Sequence, residues 1–131
     1  MEVIKRHDPF GGAYGAALGA SAGDFMFASV SGVTDMRDGE PVFADTFAEQ
    51  LTLAGRHLAT ELAEFGLKRE DVIDAAVFVH PSVEIDPGML LDQLTLDVFG
   101  EPAPTMTITR GASIYDASLV VIKIVAFKPS A

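Results

Sequence analysis

Between Ser118 and Phe127 the chain reads SLVVIKIVAF, and this stretch decides the fold. In an extended strand, successive side chains point to opposite faces of the sheet. Val120, Ile122, Ile124 and Ala126 therefore share one face, and Leu119, Val121, Lys123 and Val125 the other. Apart from Lys123 both sets are apolar. A strand of this kind belongs to a sheet that is covered on both sides.

The rest of the chain supplies cover for one side. Phe47, Leu51, Ala54, Leu58, Leu62 and Phe65 recur at three- and four-residue spacing, which puts them on one face of a helix. Thr46 and Glu49 have the spacing of a capping box, each side chain expected to bond the other's free backbone N–H. Gly66 is placed to end the helix. A second helix opens with Asp86 as cap and Pro87 in its first position. It carries the stripe Leu90, Leu91, Leu94 and Val98 and stops at Gly100.

Strands are expected at 3–5, 16–20, 25–31, 72–80, 105–110 and 118–127. The segment TDMRDGEP (34–41) reads as a polar turn region. The order β-β-β-α-β-α-β-β implies an α+β fold in which two helices cover one face of a mixed sheet. With both helices spent on one face, the natural cover for the other is a second subunit.

Composition narrows the function classes. The 131 residues suit one domain with one core. With 49% hydrophobic residues, no run reaches the roughly 18 apolar residues of a membrane span. The N-terminus MEVIKRHDPF lacks the apolar stretch of a signal peptide, so a cytoplasmic location is expected. The absence of cysteine removes disulfides and thiolate chemistry. Nine Lys and Arg stand against 19 Asp and Glu, with no basic cluster beyond Lys5-Arg6, which argues against a nucleic-acid-binding face. The three histidines lack metal-ligand spacing, and PFGGAYG (9–15) lacks the lysine of a phosphate loop. No metal, cofactor, membrane or nucleic-acid partner is expected.

Three stretches occur in a telling order: GDFMFASVSGVTDMRDGE (23–40), AEFGLKREDVIDAAVFV (63–79) and FGEPAPT (99–105). Their order and spacing resemble the Rid (YjgF/YER057c) family of small trimeric proteins. The resemblance implies a single Rid-like domain over 1–131 with a chorismate-mutase-like fold. It also implies a trimeric barrel with three ligand clefts between subunits. Family members that hydrolyse 2-imino and 2-enamino acids carry an arginine in a Pro-Ala-Arg-Thr segment and a glutamate in the last strand.

Neither residue is present here. Motif identity puts Pro104 in the arginine slot, counting back from the last strand puts Met106 there, and alternation sets Thr105, Thr107 and Thr109 on one face and Met106 and Ile108 on the other. Arg110 is the nearest guanidinium, a candidate for ligand contact or an exposed strand-end charge. Val121 occupies the glutamate slot. Lys123 is either a surface or interface lysine or a new anion anchor. By the resemblance, Tyr14 matches a loop tyrosine that closes over the ligand, and Ser29 a strand serine of the cleft; Ser31 follows in the same segment, and Asp92 falls near a helix asparagine.

His80, at a strand end before Pro81, has the residue chemistry of a near-neutral acid or base. His7 and His57 have weaker claims, with His57 read on the polar side of the first helix. Tyr14, Ser31 and His80 are thus the catalytic candidates, while Tyr14, Ser29, Thr105, Thr107, Arg110 and Lys123 are the ligand-binding ones.

These residues support three readings. The first is a diverged Rid-like homotrimer acting on a small imine, enamine or related carbonyl metabolite by hydrolysis, tautomerisation or cyclisation. The second is a metabolite-binding or regulatory trimer without chemistry. The third is an imine deaminase that has relocated its arginine, using Arg110 or Lys123 from a neighbouring subunit. The first is preferred, because the loop tyrosine is kept while the groups beneath it change.

Overall fold

The computed structural model describes residues 2–7, 17–111 and 114–129. Among them, strands β1 (Val3–His7), β2 (Ala17–Ala22), β3 (Phe25–Ser31), β6 (Val72–Val79), β7 (Thr105–Arg110) and β8 (Val120–Phe127) form one mixed sheet in the order β1-β2-β3-β8-β6-β7. The pairing is antiparallel except between β6 and β7. Helices α1 (Phe47–Glu64) and α2 (Pro87–Leu94) accompany it, and α2 runs on as one wider π-turn over Thr95–Phe99. The fold is α+β, as the sequence implied.

The polar turn region expected at 34–41 is instead a hairpin. Strands β4 (Val33–Arg37) and β5 (Glu40–Phe43) pair as a separate two-stranded sheet. Asp38 and Gly39, at φ 52° and 79°, make its two-residue turn. That conformation matches the twist of the flanking strands, and an Asp-Gly pair adopts it at low cost. The sequence order therefore gains two strands. Smaller shifts extend β1 to His7, carry β2 to Ala22 and start β8 at Val120.

One face of the main sheet holds the core. Met26, Val30, Val77, Ile122 and Ile124 are buried there with Leu51, Leu58 and Leu62 of α1 and Leu94, Val98 and Phe99 of the second helical segment. Leu91, expected in the apolar stripe, is exposed, and Phe99 fills the interior in its place. Leu119 lies before β8 and packs partly against this core rather than on the opposite face.

The helix ends follow their caps. Asp86 accepts from the backbone N–H of Gly88 at 3.0 Å and of Met89 at 3.2 Å. Thr46 accepts from Glu49 N–H at 3.2 Å, but its own hydroxyl donates to Glu49 Oε1 at 3.0 Å. The carboxylate thus bonds the threonine side chain, not the backbone N–H of a reciprocal box.

Two contacts fix α1 against its surroundings. A Cβ on Gly55 would lie 2.6 Å from the Asp97 carbonyl oxygen, so only glycine permits this approach of helix to π-turn. Gln50 is buried, and its Nε2 donates to the carbonyls of Ala44 (2.9 Å) and Ala117 (2.8 Å) while its Oε1 accepts from Leu119 N–H (2.8 Å). Both amide protons and the carbonyl are satisfied, and the start of α1 is tied to the entry of β8. No helix among the described residues is long and apolar enough to cross a membrane.

Candidate functional site

The face of the sheet opposite the core follows from strand register. Ser29, Lys123, Ala76 and Thr107 stand side by side across β3, β8, β6 and β7. On one side of that row lie Phe27, Val125, Asp74 and Thr105, and on the other Ser31, Val121, Phe78 and Thr109. Phe27 and Phe78 remain 45% and 38% exposed, large rings left largely uncovered by the described residues. Phe25 joins them, its ring 4.9 Å from that of Phe127.

A concave depression of about 550 Å³ lies on this face, lined by Phe27, Ser29, Asp74, Phe78, Lys123 and Val125 among others. Its walls are apolar and its polar groups few, which is the usual make-up of a small-molecule site. Thr105 Oγ1 stands 2.7 Å from Asp74 Oδ1 and 3.0 Å from the Ile73 carbonyl, so the Asp74 carboxylate is held by a hydroxyl. Lys123 makes no hydrogen bond or ion pair with a described residue. Its ammonium is left for a ligand or a neighbouring chain.

Register also sorts the sequence candidates. Ser29, Ser31, Thr105, Thr107, Val121 and Lys123 share the open face. Met106 pairs with Ala75 and packs partly against the core, so that slot faces the helices. The alternation expected in β7 holds. Pro104 precedes β7 and is half-buried. Arg110 pairs with Val79, on the helix side of the sheet, and its Nη1 donates to the Val83 carbonyl at 2.6 Å. It does not join the open face of its own chain. Asp92 is exposed on α2. Tyr14 and the side chain of His7 lie outside the described residues.

His57 is not on a wholly polar helix face. It is half-buried, its Nε2 2.9 Å from the Val33 carbonyl, to which it donates.

His80 lies in a second polar group at the end of β6. Its Nδ1 is 3.0 Å from Ser82 N and 2.7 Å from Ser82 Oγ, and its Nε2 is 3.0 Å from Asp116 Oδ1. A backbone N–H only donates, so Nδ1 carries the lone pair and the neutral ring bears its proton on Nε2, facing Asp116. Sequence reasoning missed Ser82 and Asp116. A serine two residues past the histidine was legible; an aspartate 36 positions on was not. Among the described residues, no group of His, Asp and Glu side chains is arranged to hold a metal ion.

Solved structures share this arrangement of strands and helices. A member of the YjgF/YER057c/UK114 family from Mycobacterium tuberculosis superposes with a TM-score of 0.74 at 19% identity, over 97% of this chain and all of the other. The chain has the YjgF/RidA fold. RidA from the Antarctic bacterium Psychrobacter sp. gives a TM-score of 0.72 at 15% identity, covering 95% of this chain and 94% of its own. A YjgF-family protein from Neisseria meningitidis gives 0.70 at 20%, covering 100% and 98%. No protein-family model and no curated protein sequence matches the chain. The chain thus shares the YjgF/RidA fold at 15–20% identity to these structures, and the near end-to-end coverage agrees with the motif order read above.

Proposed function

We propose that the chain is a diverged member of the Rid family, one domain over residues 1–131, that assembles as a homotrimer through the open sheet face. Its clefts bind and act on a small imine, enamine or related carbonyl metabolite. The observation that carries this reading is Lys123, an ammonium with no partner among the described residues, in an apolar depression beside Ser29 and Asp74. Covering that face with another copy would exclude water and strengthen the pull of Lys123 on an anionic or polarised group.

The chemistry of the site differs from arginine-dependent imino acid hydrolysis. A guanidinium clamps a carboxylate through two parallel hydrogen bonds, whereas an ammonium acts as a point charge. Val121, in the glutamate slot, has no group to take a proton from water. Turnover of 2-imino acids by the usual family route is therefore expected to be lost. The test is an ammonia-release assay on 2-iminobutyrate beside an active family member. Release indistinguishable from the uncatalysed reaction is expected, and comparable rates would overturn the reading.

The isopropyl group of Val121 favours a second reading, in which the same trimer holds its ligand without turning it over. The third reading takes its relocated deaminase anchor from Arg110 or Lys123 of a neighbouring subunit. Ligand binding with and without product formation separates these readings.

A further inference from the structure

The polar group at the end of β6 is separate from the open face and resembles a hydrolytic centre in its parts. Ser82 offers a hydroxyl 2.7 Å from His80 Nδ1, a nitrogen that also accepts from the Ser82 backbone N–H at 3.0 Å, and Asp116 meets the N–H on the opposite side of that ring at 3.0 Å. The ring itself is largely shielded, its side chain 14% exposed, while the Asp116 side chain is 99% exposed. Ser82 is also exposed, so a reactant reaches the hydroxyl without displacing protein.

A fourth member comes from β7. Arg110 Nη1 donates to the carbonyl of Val83, and that bond ties the guanidinium to the backbone of the residue that follows Ser82. A nucleophile next to a base, the base next to an orienting carboxylate, and a cation close by are the parts that acyl transfer requires.

We propose that Ser82, His80, Asp116 and Arg110 form an acyl-transfer site, in which Ser82 takes the acyl group of a small carboxylic ester. The ring is turned relative to the serine proteases, with Nδ1 toward the serine and Nε2 toward the aspartate, but the roles are the same. Ser82 Oγ forms a bond to the ester carbonyl carbon as its proton passes to His80 Nδ1, which gives up its bond from the Ser82 backbone N–H. Asp116 steadies the imidazolium, and Arg110 faces the negative charge that develops on the carbonyl oxygen. The bond to the leaving oxygen then breaks, that oxygen takes the proton from Nδ1, and the alcohol departs. Water repeats the sequence on the acyl-serine and releases the acid. Every proton is returned, and water is the one co-reactant consumed.

The site is tested on the full-length protein with 4-nitrophenyl acetate, for rate, and a fluorophosphonate, for a stable adduct mapped by mass spectrometry. The expected result is a phosphonyl group on Ser82 that is absent from Ser82→Ala. His80→Gln should slow both reactions at Ser82 by about 100-fold, the usual scale for a positioned base. Asp116 acts through His80, so Asp116→Ala should slow them by roughly tenfold and Asp116→Glu should restore the rate. Circular dichroism confirms that each variant is folded. Label on lysine or tyrosine alone would overturn the proposal, as would label on Ser82 that forms equally fast in folded His80→Gln.

Discussion

Lys123 and Asp74 line the same depression on adjacent strands, offset by one row, and do not form an ion pair. Lys123 stands opposite Ala76 and Asp74 opposite Val125. The carboxylate is held by Thr105, whereas the ammonium meets no hydrogen-bonding or ion-pairing partner among the described residues. The open face therefore presents a cation in an apolar setting, and the account of function begins there.

Lys123→Ala is expected to weaken binding of a small carboxylate ligand by about 1.5 to 3 kcal/mol, the range for a hydrogen bond to a charged group. A neutral ligand of the same shape should lose little. Calorimetry with both ligands checks the contrast, and equal losses would remove Lys123 from the site.

Val121→Asp or Val125→Asp should break association or prevent folding of the assembly. Each would bury a carboxylate in a contact otherwise made by the apolar side chains of Val121, Val125, Phe27 and Phe78. Light scattering reads the outcome directly. An unchanged mass with unchanged stability would mean that this face stays open to solvent.

Gly55→Ala should destabilise the fold by about 1–3 kcal/mol, since its methyl group would meet the Asp97 carbonyl at 2.6 Å and the helix or the π-turn must shift. A urea melt measures this. A neutral effect would show that the segment around Asp97 yields freely.

Gln50→Leu should cost more than its small change in volume suggests. It strands the Ala44 and Ala117 carbonyls and the Leu119 N–H, at about 1–3 kcal/mol for each group left unpaired and buried. Gln50→Glu is expected to be no better, because a carboxylate would face two carbonyl oxygens. Denaturant melts of both variants check this.

What the sequence disclosed, and what it hid, divides along physical lines. Strand β8 was legible because a two-residue period with both faces apolar has few other homes. Helix α1 was legible from its stripe and its cap. The hairpin at 33–43 was not, because its strands are short and mostly polar, leaving only the Asp38-Gly39 pair to mark it. Alternation separated Thr105 and Thr107 from Met106 in β7, while the packing of Met106 against the core decided which of the two faces is open. Arg110 was harder to place, since a long side chain at a strand end chooses its partner by tertiary contact, here the Val83 carbonyl. Gln50 gave no signal at all. A polar residue in a helix reads as exposed unless the carbonyls that await it are already known. The Asp116 contact with His80 was hidden for the same reason, being made between distant parts of the chain.

The central claim is that the open face is the inner surface of a trimer, and the mass of the particle in dilute solution tests it most directly. Sedimentation equilibrium should return three times the 13.9 kDa chain mass, and Val121→Asp should lower it. A stable, folded particle of 13.9 kDa would contradict the account and leave the depression beside Lys123 a surface feature of a monomer.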